Sequence, residues 1–497
     1  MSSEPLDIGH TRPSYLAIDL GASSGRAVLG TLDGDCMRMR EVHRFRTPLV
    51  EEGEHLYWDV GALWADIRLG LGEALRAEPA LRSISVDSWA VDYVPLGTDG
   101  VALRRPYAYR DPRTKGRLAT AIRLTGGAGA LYHRTGIQFL ELNTLPQIVA
   151  DIEDEPALLA RTTTRLMIAE YFLFLLSGEA VAERTMASTT QLLDVRTGEW
   201  SGALLRAIGD DPRRWPRIVA PGTVLGHVEP DALPAAAAHA PLVIATCAHD
   251  TAAAIAAVPA SDERAWAYIS SGTWSLVGVE LRAPILSPLA RDAGFTNEAG
   301  LDGTVRFLKN RTGMWVLEEC CREWGGQGER PTYATLFADA AAAPPAQRTV
   351  DLNAPAFSER GGMVEKLRAA YRARGAALES GRGPLVRLIL ESLAESHAET
   401  LRELEGLLGV PIVDVHIVGG GARNDLLNQL TANACGRRVI AGPDEATVLG
   451  NLLVQARTLG DLPPGMTVRQ VARGSAPITE YSPRYIASRR ATTRASH

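Results

Sequence analysis

The chain writes one short phrase twice. An apolar, β-rich run breaks into a glycine turn at Tyr15-Leu-Ala-Ile-Asp-Leu-Gly-Ala-Ser-Ser24 and again at Trp266-Ala-Tyr-Ile-Ser-Ser-Gly-Thr-Trp-Ser275, so Gly21 and Gly272 lie about half of the 497 residues apart. In each copy the strand resumes after the glycine, which predicts a β-hairpin whose tip presents bare backbone N–H groups. Such tips suit phosphate oxygens. Two of them, on halves of similar length, predict a duplicated fold that acts on one phosphorylated ligand.

Around the first copy, Arg26 to Leu32, a turn at Asp33-Gly34 and the run Cys36 to Phe45 predict a three-strand antiparallel meander. Val60 to Leu75 then places Leu63, Ile67, Leu71 and Leu75 on one helical stripe, and Leu81 to Val86 returns as a strand. This β-β-β-α-β order is that of ribonuclease-H-like domains. The middle reads as helical from Arg113 to about Ile208, with Gly178 and Gly209 as stops, before a strand at Pro241 to Cys247. A polar linker, Pro259 to Arg264, marks the boundary between an N-terminal domain, residues 1–260, and a C-terminal domain, residues 261–482. Residues 483–497 read as a solvated tail. In the second half, Asp339 to Arg360 is Ala- and Pro-rich and is expected to be a surface excursion. Leu385, Ile389, Leu393, His397, Thr400, Leu404 and Leu408 form a long helical stripe ending at Gly409. Strand Val413 to Val418, Gly419-Gly-Gly421, a helix from Asp425 and a helix from Glu445 to Leu459 complete a nucleotide-friendly α/β alternation.

Composition excludes several classes. A net charge of −6, with only Lys115, Lys309 and Lys366 as lysines, gives no field to gather nucleic acid or an anionic membrane. Met1 to Ser14 is polar, and no run of 18 apolar residues occurs, so a cytoplasmic protein is expected. The five cysteines are odd in number and lack metal-ligand spacing, and they read as reduced. No Gly-x-x-x-x-Gly-Lys-[Ser/Thr] stretch exists, which excludes a P-loop enzyme, and no His-Arg-Asp or Asp-Phe-Gly set appears.

Four loops that follow strands are candidates for chemistry. Asp19 could hold Mg²⁺ while Gly21 to Gly25 receives phosphate oxygens, or Asp19 and Ser23 merely organise the hairpin. Ser270 to Trp274 offers hydroxyls and N–H groups without an acid. Gly419-Gly-Gly421 permits close approach of a base or ribose, with Asn424 available for hydrogen bonds, or is a tight strand-to-helix crossing. In His249-Asp250-Thr251, Asp250 is a good N-cap for the Ala-rich helix that follows. A carboxylate at that place is also positioned to accept a proton from an attacking hydroxyl, and the helix dipole favours its ionised form. Trp89 and Tyr93 read equally as an aromatic core pair or as sugar-stacking rings.

Asp19-Leu-Gly-Ala-Ser-Ser-Gly-Arg26, His249-Asp-Thr251, Ser271-Gly-Thr-Trp274 and Gly419-Gly-Gly421, in that order and spacing, resemble the FGGY family of carbohydrate kinases within the actin-like ATPase superfamily. A narrower likeness, to the branch that phosphorylates L-rhamnulose at O1, rests on Tyr57-Trp-Asp59, Val86-Asp-Ser-Trp-Ala-Val-Asp-Tyr93, Ala108-Tyr-Arg-Asp111, Arg134 to Phe139, Thr189-Thr-Gln191, Leu308-Lys-Asn310 and Leu427 to Leu430. The resemblance implies an α/β protein of two ribonuclease-H-like domains flanking a central cleft, using ATP and Mg²⁺ on a small ketose, with no nucleic-acid or membrane partner and a monomer favoured. It also implies residue roles. Asp250 is the proton acceptor, with His249, Thr251 and Ala90 beside the sugar; Ala90 replaces a family Gly. Ala22, Ser23, Ser24, Gly25, Arg26, Thr273, Asn310, Glu318 and Gly420 meet the nucleotide, Glu318 replacing a family Gln, and Asp19 serves the metal. The first hairpin is then assigned to metal and γ-phosphate, the second, whose Ser270 stands where the first has Asp19, to the nucleotide. Kinases of fuculose, xylulose or a related ketose, and an actin-like ATPase without a sugar substrate, remain the alternatives.

Overall fold

The apolar run that opens the chain is strand β1 (Ser14–Leu20), buried along its whole length, which turns back into β2 (Ser24–Asp33). The computed structural model describes residues 12–235, 237–261, 264–326, 328 and 331–484. The chain forms two compact units. Unit 1 runs through Ala257 and adds Glu298–Gly303 and Thr447–Ser475; unit 2 comprises Val258–Asn297, Thr304–Ala446 and the residues from Ala476 on.

In unit 1, β3 (Cys36–Arg46) completes the predicted meander. The helix Val60–Ala77 buries Leu63, Ile67, Leu71 and Leu75 against the sheet, and Asp59 caps it by accepting from the Ala62 N–H at 3.0 Å. Strand β4 (Ser83–Ser88) returns parallel to β1, and β5 (Thr223–His227) and β6 (Leu242–Ala245) finish a six-stranded sheet of order β5-β6-β4-β1-β2-β3. A short hairpin, Leu49–Glu52 with His55–Trp58, precedes the first helix and had no prediction. The region between β4 and β5 is mainly helical as expected, and Gly178 and Gly209 end their helices in the left-handed conformation that glycine adopts without cost.

Unit 2 repeats the plan. Strands β7 (Trp266–Ser271), β8 (Trp274–Leu281), β9 (Thr296–Ala299), β10 (Val305–Thr312), β11 (Asp414–Val418), β12 (Arg438–Ala441) and β13 (Thr479–Tyr481) form a sheet of order β9-β10-β8-β7-β11-β12-β13. The path β10-β8-β7-β11-β12 matches β3-β2-β1-β4-β6, antiparallel through the meander and parallel thereafter. Past the match each sheet adds an antiparallel strand, β5 beside β6 and β13 beside β12, and the second sheet also carries β9 beside β10. The duplication read from two hairpins therefore extends to two whole sheets.

Two expectations are corrected. The stretch 339–360 is no surface excursion: Ala346, Val350, Leu352 and Phe357 are buried, and the Val350 N–H donates to Ser392 on the long helix Arg382–Leu408 at 3.1 Å. Its Ala- and Pro-rich composition hid a few apolar anchors that need no period to pack. In the compact units Thr447–Ser475 groups with unit 1. Along the helix Ala446–Thr458, Asn451 Nδ2 donates to Asp87 at 2.6 Å, and Gln455 bonds the Leu16 carbonyl and the Ser83 hydroxyl at 3.0 and 2.7 Å. Finally, Asp250 is not a helix N-cap. The helix Asp250–Ala256 starts one residue earlier than read, with His249 at the cap, because the His249 carbonyl already accepts from the Ala253 N–H at 3.0 Å. The expected tail lies outside the described residues from 485 onward, as do residues 262 and 263 of the linker.

The return of that late helix to unit 1 depends on Gly450, where an added Cβ would stand 1.9 Å from the Ala253 carbonyl oxygen. Backbone cannot yield as a side-chain tip can, so Gly450→Ala is expected to destabilise unit 1 by about 2–3 kcal/mol in urea unfolding. An unchanged midpoint would refute the tight crossing.

Candidate active site

Strands β6, β4 and β1 are parallel neighbours, and an acidic residue stands at or just past the carboxyl end of each. That end of an open α/β sheet is where ligands bind. Asp19 and Asp87 are register partners across β1 and β4. Beyond β6, the Ser88 N–H donates to the Ala248 carbonyl at 2.9 Å, and a parallel bridge joins Ser88 to His249, so Asp250 comes next to the same edge.

The three carboxylates differ in surroundings. Asp19 Oδ2 accepts from Arg26 Nη2 at 2.5 Å, its cross-strand partner. The two residues assigned to metal and nucleotide are thus an ion pair. Asp87 is wholly buried; Asn451 Nδ2 holds one oxygen, and Oδ1 has no hydrogen-bond partner. Burial and the adjacent Asp19 charge, with a smaller push from Asp250, hold Asp87 well above the usual carboxylate range, against the Asn451 bond. Asp250 keeps 31% of its side chain exposed and is the most accessible of the three. Its Oδ1 accepts from the Thr251 N–H at 2.5 Å and the Thr251 hydroxyl at 3.1 Å, with His249 Nε2 at 3.3 Å. His249 is buried, and its Nδ1 lies 3.6 Å from Glu298 Oε2.

Ala90 follows β4 and is partly buried. Its neighbour Val91 takes φ 71°, a left-handed conformation costly for a β-branched residue, and its carbonyl accepts from Thr144 Oγ1 at 2.7 Å and Gln147 Nε2 at 3.3 Å. The open question over Trp89 and Tyr93 resolves to core. The indoles of Trp58 and Trp89, 4.4 Å apart, both donate to buried Asp92, and the Tyr93 hydroxyl donates to buried Asp151.

At the tip of the first hairpin the Gly21 N–H donates to the Ser24 carbonyl at 3.0 Å, leaving Ser23 exposed and Ala22 and Ser24 partly so. Gly25 is buried: a Cβ there would lie 2.2 Å from the Phe45 ring, so its missing side chain serves packing. In unit 2 the Gly272 N–H closes the second hairpin on the Trp274 carbonyl at 2.9 Å. Thr273 Oγ1 donates to Glu318 Oε1 at 3.4 Å, which brings two of the assigned nucleotide residues together. Asn310 sits on β10, opposite Leu276 of β8. The three consecutive glycines have separate reasons. Gly419 has φ 79°, a Cβ on Gly421 would meet Ser271 Oγ at 2.0 Å, and Gly420 faces open space. They open a 3₁₀ turn, Gly420–Arg423, and Asn424 Oδ1, which the sequence left available to a ligand, caps the helix Asp425–Cys435 by accepting from the Leu427 N–H at 3.0 Å.

Among the described residues no group of three His, Cys, Asp or Glu side chains could by itself hold a metal ion. Two acids in register, one with an unpartnered buried oxygen, nevertheless suit Mg²⁺, which takes one or two carboxylates and completes its shell with water and phosphate. Asp87 carried a signal in the sequence, an acid in a strand of apolar and small residues, yet received no role. Asn451 carried none.

Models of the FGGY family of carbohydrate kinases match the chain over residues 14–257 (N-terminal domain) and 267–459 (C-terminal domain). The chain belongs to the FGGY family of carbohydrate kinases. The rhamnulokinase of Bacteroides thetaiotaomicron is 39% identical over 477 residues, covering 96% of this chain and 97% of that one. The rhamnulokinase of Bacillus subtilis is 38% identical over 472 residues, covering 95% and 96%. The fold of this FGGY chain is similar to that of a gluconate kinase from Lactobacillus acidophilus, with a TM-score of 0.75 at 17% identity over 95% of this chain and 94% of that one. No helix among the described residues is long and apolar enough to cross a membrane, and all five cysteines are free thiols.

Two outcomes are expected. Asp87→Asn removes a carboxyl whose charged form is opposed by burial and by Asp19, so it should stabilise unit 1 by about 1–2 kcal/mol while lowering turnover; a loss of stability in urea unfolding would contradict the repulsion. In unit 2, buried His397, bonded to Ser275 and Thr431, is pushed down to about 3 by burial and by Arg311. It is neutral when folded, so its contribution is whole above about pH 6.5 and is lost as pH falls toward 3. His397→Gln should therefore remove about 2 kcal/mol of the stability lost between pH 7 and pH 5; an unaltered pH dependence would contradict the shift.

Proposed function

We propose that this FGGY kinase transfers the γ-phosphoryl group of ATP to O1 of L-rhamnulose, giving L-rhamnulose 1-phosphate. The observation that carries the sugar is the near-complete coverage by relatives named rhamnulokinase at 38–39% identity. The reaction class is supported by Asp250, a partly exposed carboxylate beside a buried histidine at the carboxyl edge of a parallel sheet.

The chemistry divides among named groups. Asp250 accepts the proton of the C1 hydroxyl as its oxygen bonds to phosphorus and the bond to ADP breaks; a positioned base of this kind contributes about 10²- to 10⁴-fold. His249 and Thr251 flank it and hold its Oδ1. Ala90 lines the same side, its path set by the bonds that hold Val91. Asp19, with Asp87 beside it, would hold Mg²⁺, which when bound neutralises charge on the phosphate oxygens; Arg26 offers a cationic partner to Asp19 in its absence. Ala22, Ser23, Ser24, Gly25 and Arg26 in unit 1, and Thr273, Asn310, Glu318 and Gly420 in unit 2, are assigned to the nucleotide. Residues 1–260 supply the sugar and the base; residues 261–482 supply the nucleotide clamp. Fixed positioning and electrostatics carry most of the rate in phosphoryl transfer.

ATP consumption by purified enzyme with L-rhamnulose, L-fuculose and D-xylulose tests the substrate. Rhamnulose is expected to give the highest kcat/KM by at least about tenfold, a margin that ketose hydroxyl contacts can supply; parity with another ketose overturns the assignment, and sugar-independent turnover overturns the kinase. Asp250→Asn should bind ATP normally and lose about 10²-fold or more in kcat. Turnover near that of the unsubstituted enzyme would remove Asp250 from the role of base.

A further inference from the structure

Glu183 ends the short strand Ala182–Glu183 and caps the five-residue helix Arg184–Ser188, accepting from the Thr185 and Met186 N–H groups at 3.0 and 3.3 Å. A cap needs no more than a Ser, Thr, Asp or Asn. Here the side chain is a longer carboxylate, fully buried, in a place where burial pushes it up to about 7 despite its hydrogen bonds. Burying a carboxylate is costly, and a capping hydroxyl would satisfy those two amides more cheaply.

Two further bonds account for it. Glu183 Oε2 accepts from the Ala248 N–H at 3.0 Å, 65 positions along the chain, and from the Thr185 hydroxyl at 2.5 Å. Thr185 Oγ1 in turn accepts from the His249 N–H at 3.3 Å. Both amides that lead into Asp250 therefore end on this pair. They lie beyond β6 and before the first helical hydrogen bond, so neither ladder would satisfy them. The opposite side of the turn is held by the Ser88 N–H on the Ala248 carbonyl. Behind the pair, buried Glu170 accepts from the Glu183 and Met167 N–H groups at 2.6 and 3.2 Å and fixes the backbone that carries the clamp.

We propose that Glu183 and Thr185 are positioning residues: a buried carboxylate–hydroxyl clamp that sets the backbone of Ala248 and His249 and thereby aims Asp250 at the hydroxyl it deprotonates. This rests on the reading of Asp250 as the base. The clamp touches no substrate itself. Its effect should fall on the chemical step and leave nucleotide affinity alone, since transition-state geometry tolerates displacement poorly.

Thr185→Val keeps the shape and removes the hydroxyl; Thr185→Ser restores it. The valine variant is expected to lose about tenfold in kcat with KM for ATP within about twofold, and the serine variant to recover most of that loss. Hydrogen exchange of the Ala248 and His249 amides, read on the same proteins, should quicken about tenfold in the valine variant and not in the serine one. Glu183→Gln should shift both readouts in the direction of the valine variant. Unchanged exchange in both Thr185→Val and Glu183→Gln overturns the clamp, as does quickened exchange with unaltered kcat. Absence of sugar-dependent ATP turnover in the unsubstituted enzyme would instead overturn the kinase reading, while exchange would still report whether the turn is held.

Discussion

Mutual repulsion among three carboxylates is what the first unit is arranged around. Asp19, Asp87 and Asp250 stand at the carboxyl edge of three neighbouring parallel strands, where the Asp19 and Asp250 charges add to the burial that holds the Asp87 carboxyl above its usual range. Each is handled differently. Arg26 neutralises Asp19 across the hairpin, Asn451 steadies one oxygen of Asp87, and Asp250 keeps access to solvent. The requirement for Asn451 explains why a helix from late in the chain completes the first unit, and why it carries Gly450 where it meets the Ala253 backbone.

The second unit has the same strand path without that charge. Ser270 takes the place of Asp19, and its parallel partner is Val418 where the first sheet has Asp87. A duplicated framework thus carries two chemistries. One copy tolerates an expensive acidic edge, as the proposed role in proton and phosphate transfer would require; the other presents glycines and hydroxyls, whose neutral backbone suits the nucleotide assigned to it by the proposal.

Features set by local physics were legible in the sequence. An apolar run that stops at glycine and resumes can only turn back, so both hairpins were readable, and the stripe from Leu385 to Leu408 fixed the longest helix. Glycine was less transparent. Gly25 and Gly421 look like phosphate-loop residues, yet Phe45 and Ser271 occupy the space a side chain would need, while Gly420 faces open space. The helix boundary at Asp250 was misread by one residue, because cap preference favours Asp over His whereas the hydrogen-bond ladder begins from the His249 carbonyl. The segment 339–360 was misread because scattered anchors such as Val350 and Phe357 show no period.

By itself the sequence determined the family, the duplication and where the acids fall at the ends of strands, since each depends on residues close together in the chain or on a repeated order of motifs. Tertiary structure alone decided how those acids are held. Asn451 reaches Asp87, and Glu183 reaches Ala248, across separations at which no spacing rule applies. A buried polar atom must find a partner somewhere, but which one it finds depends on where the packed chain returns.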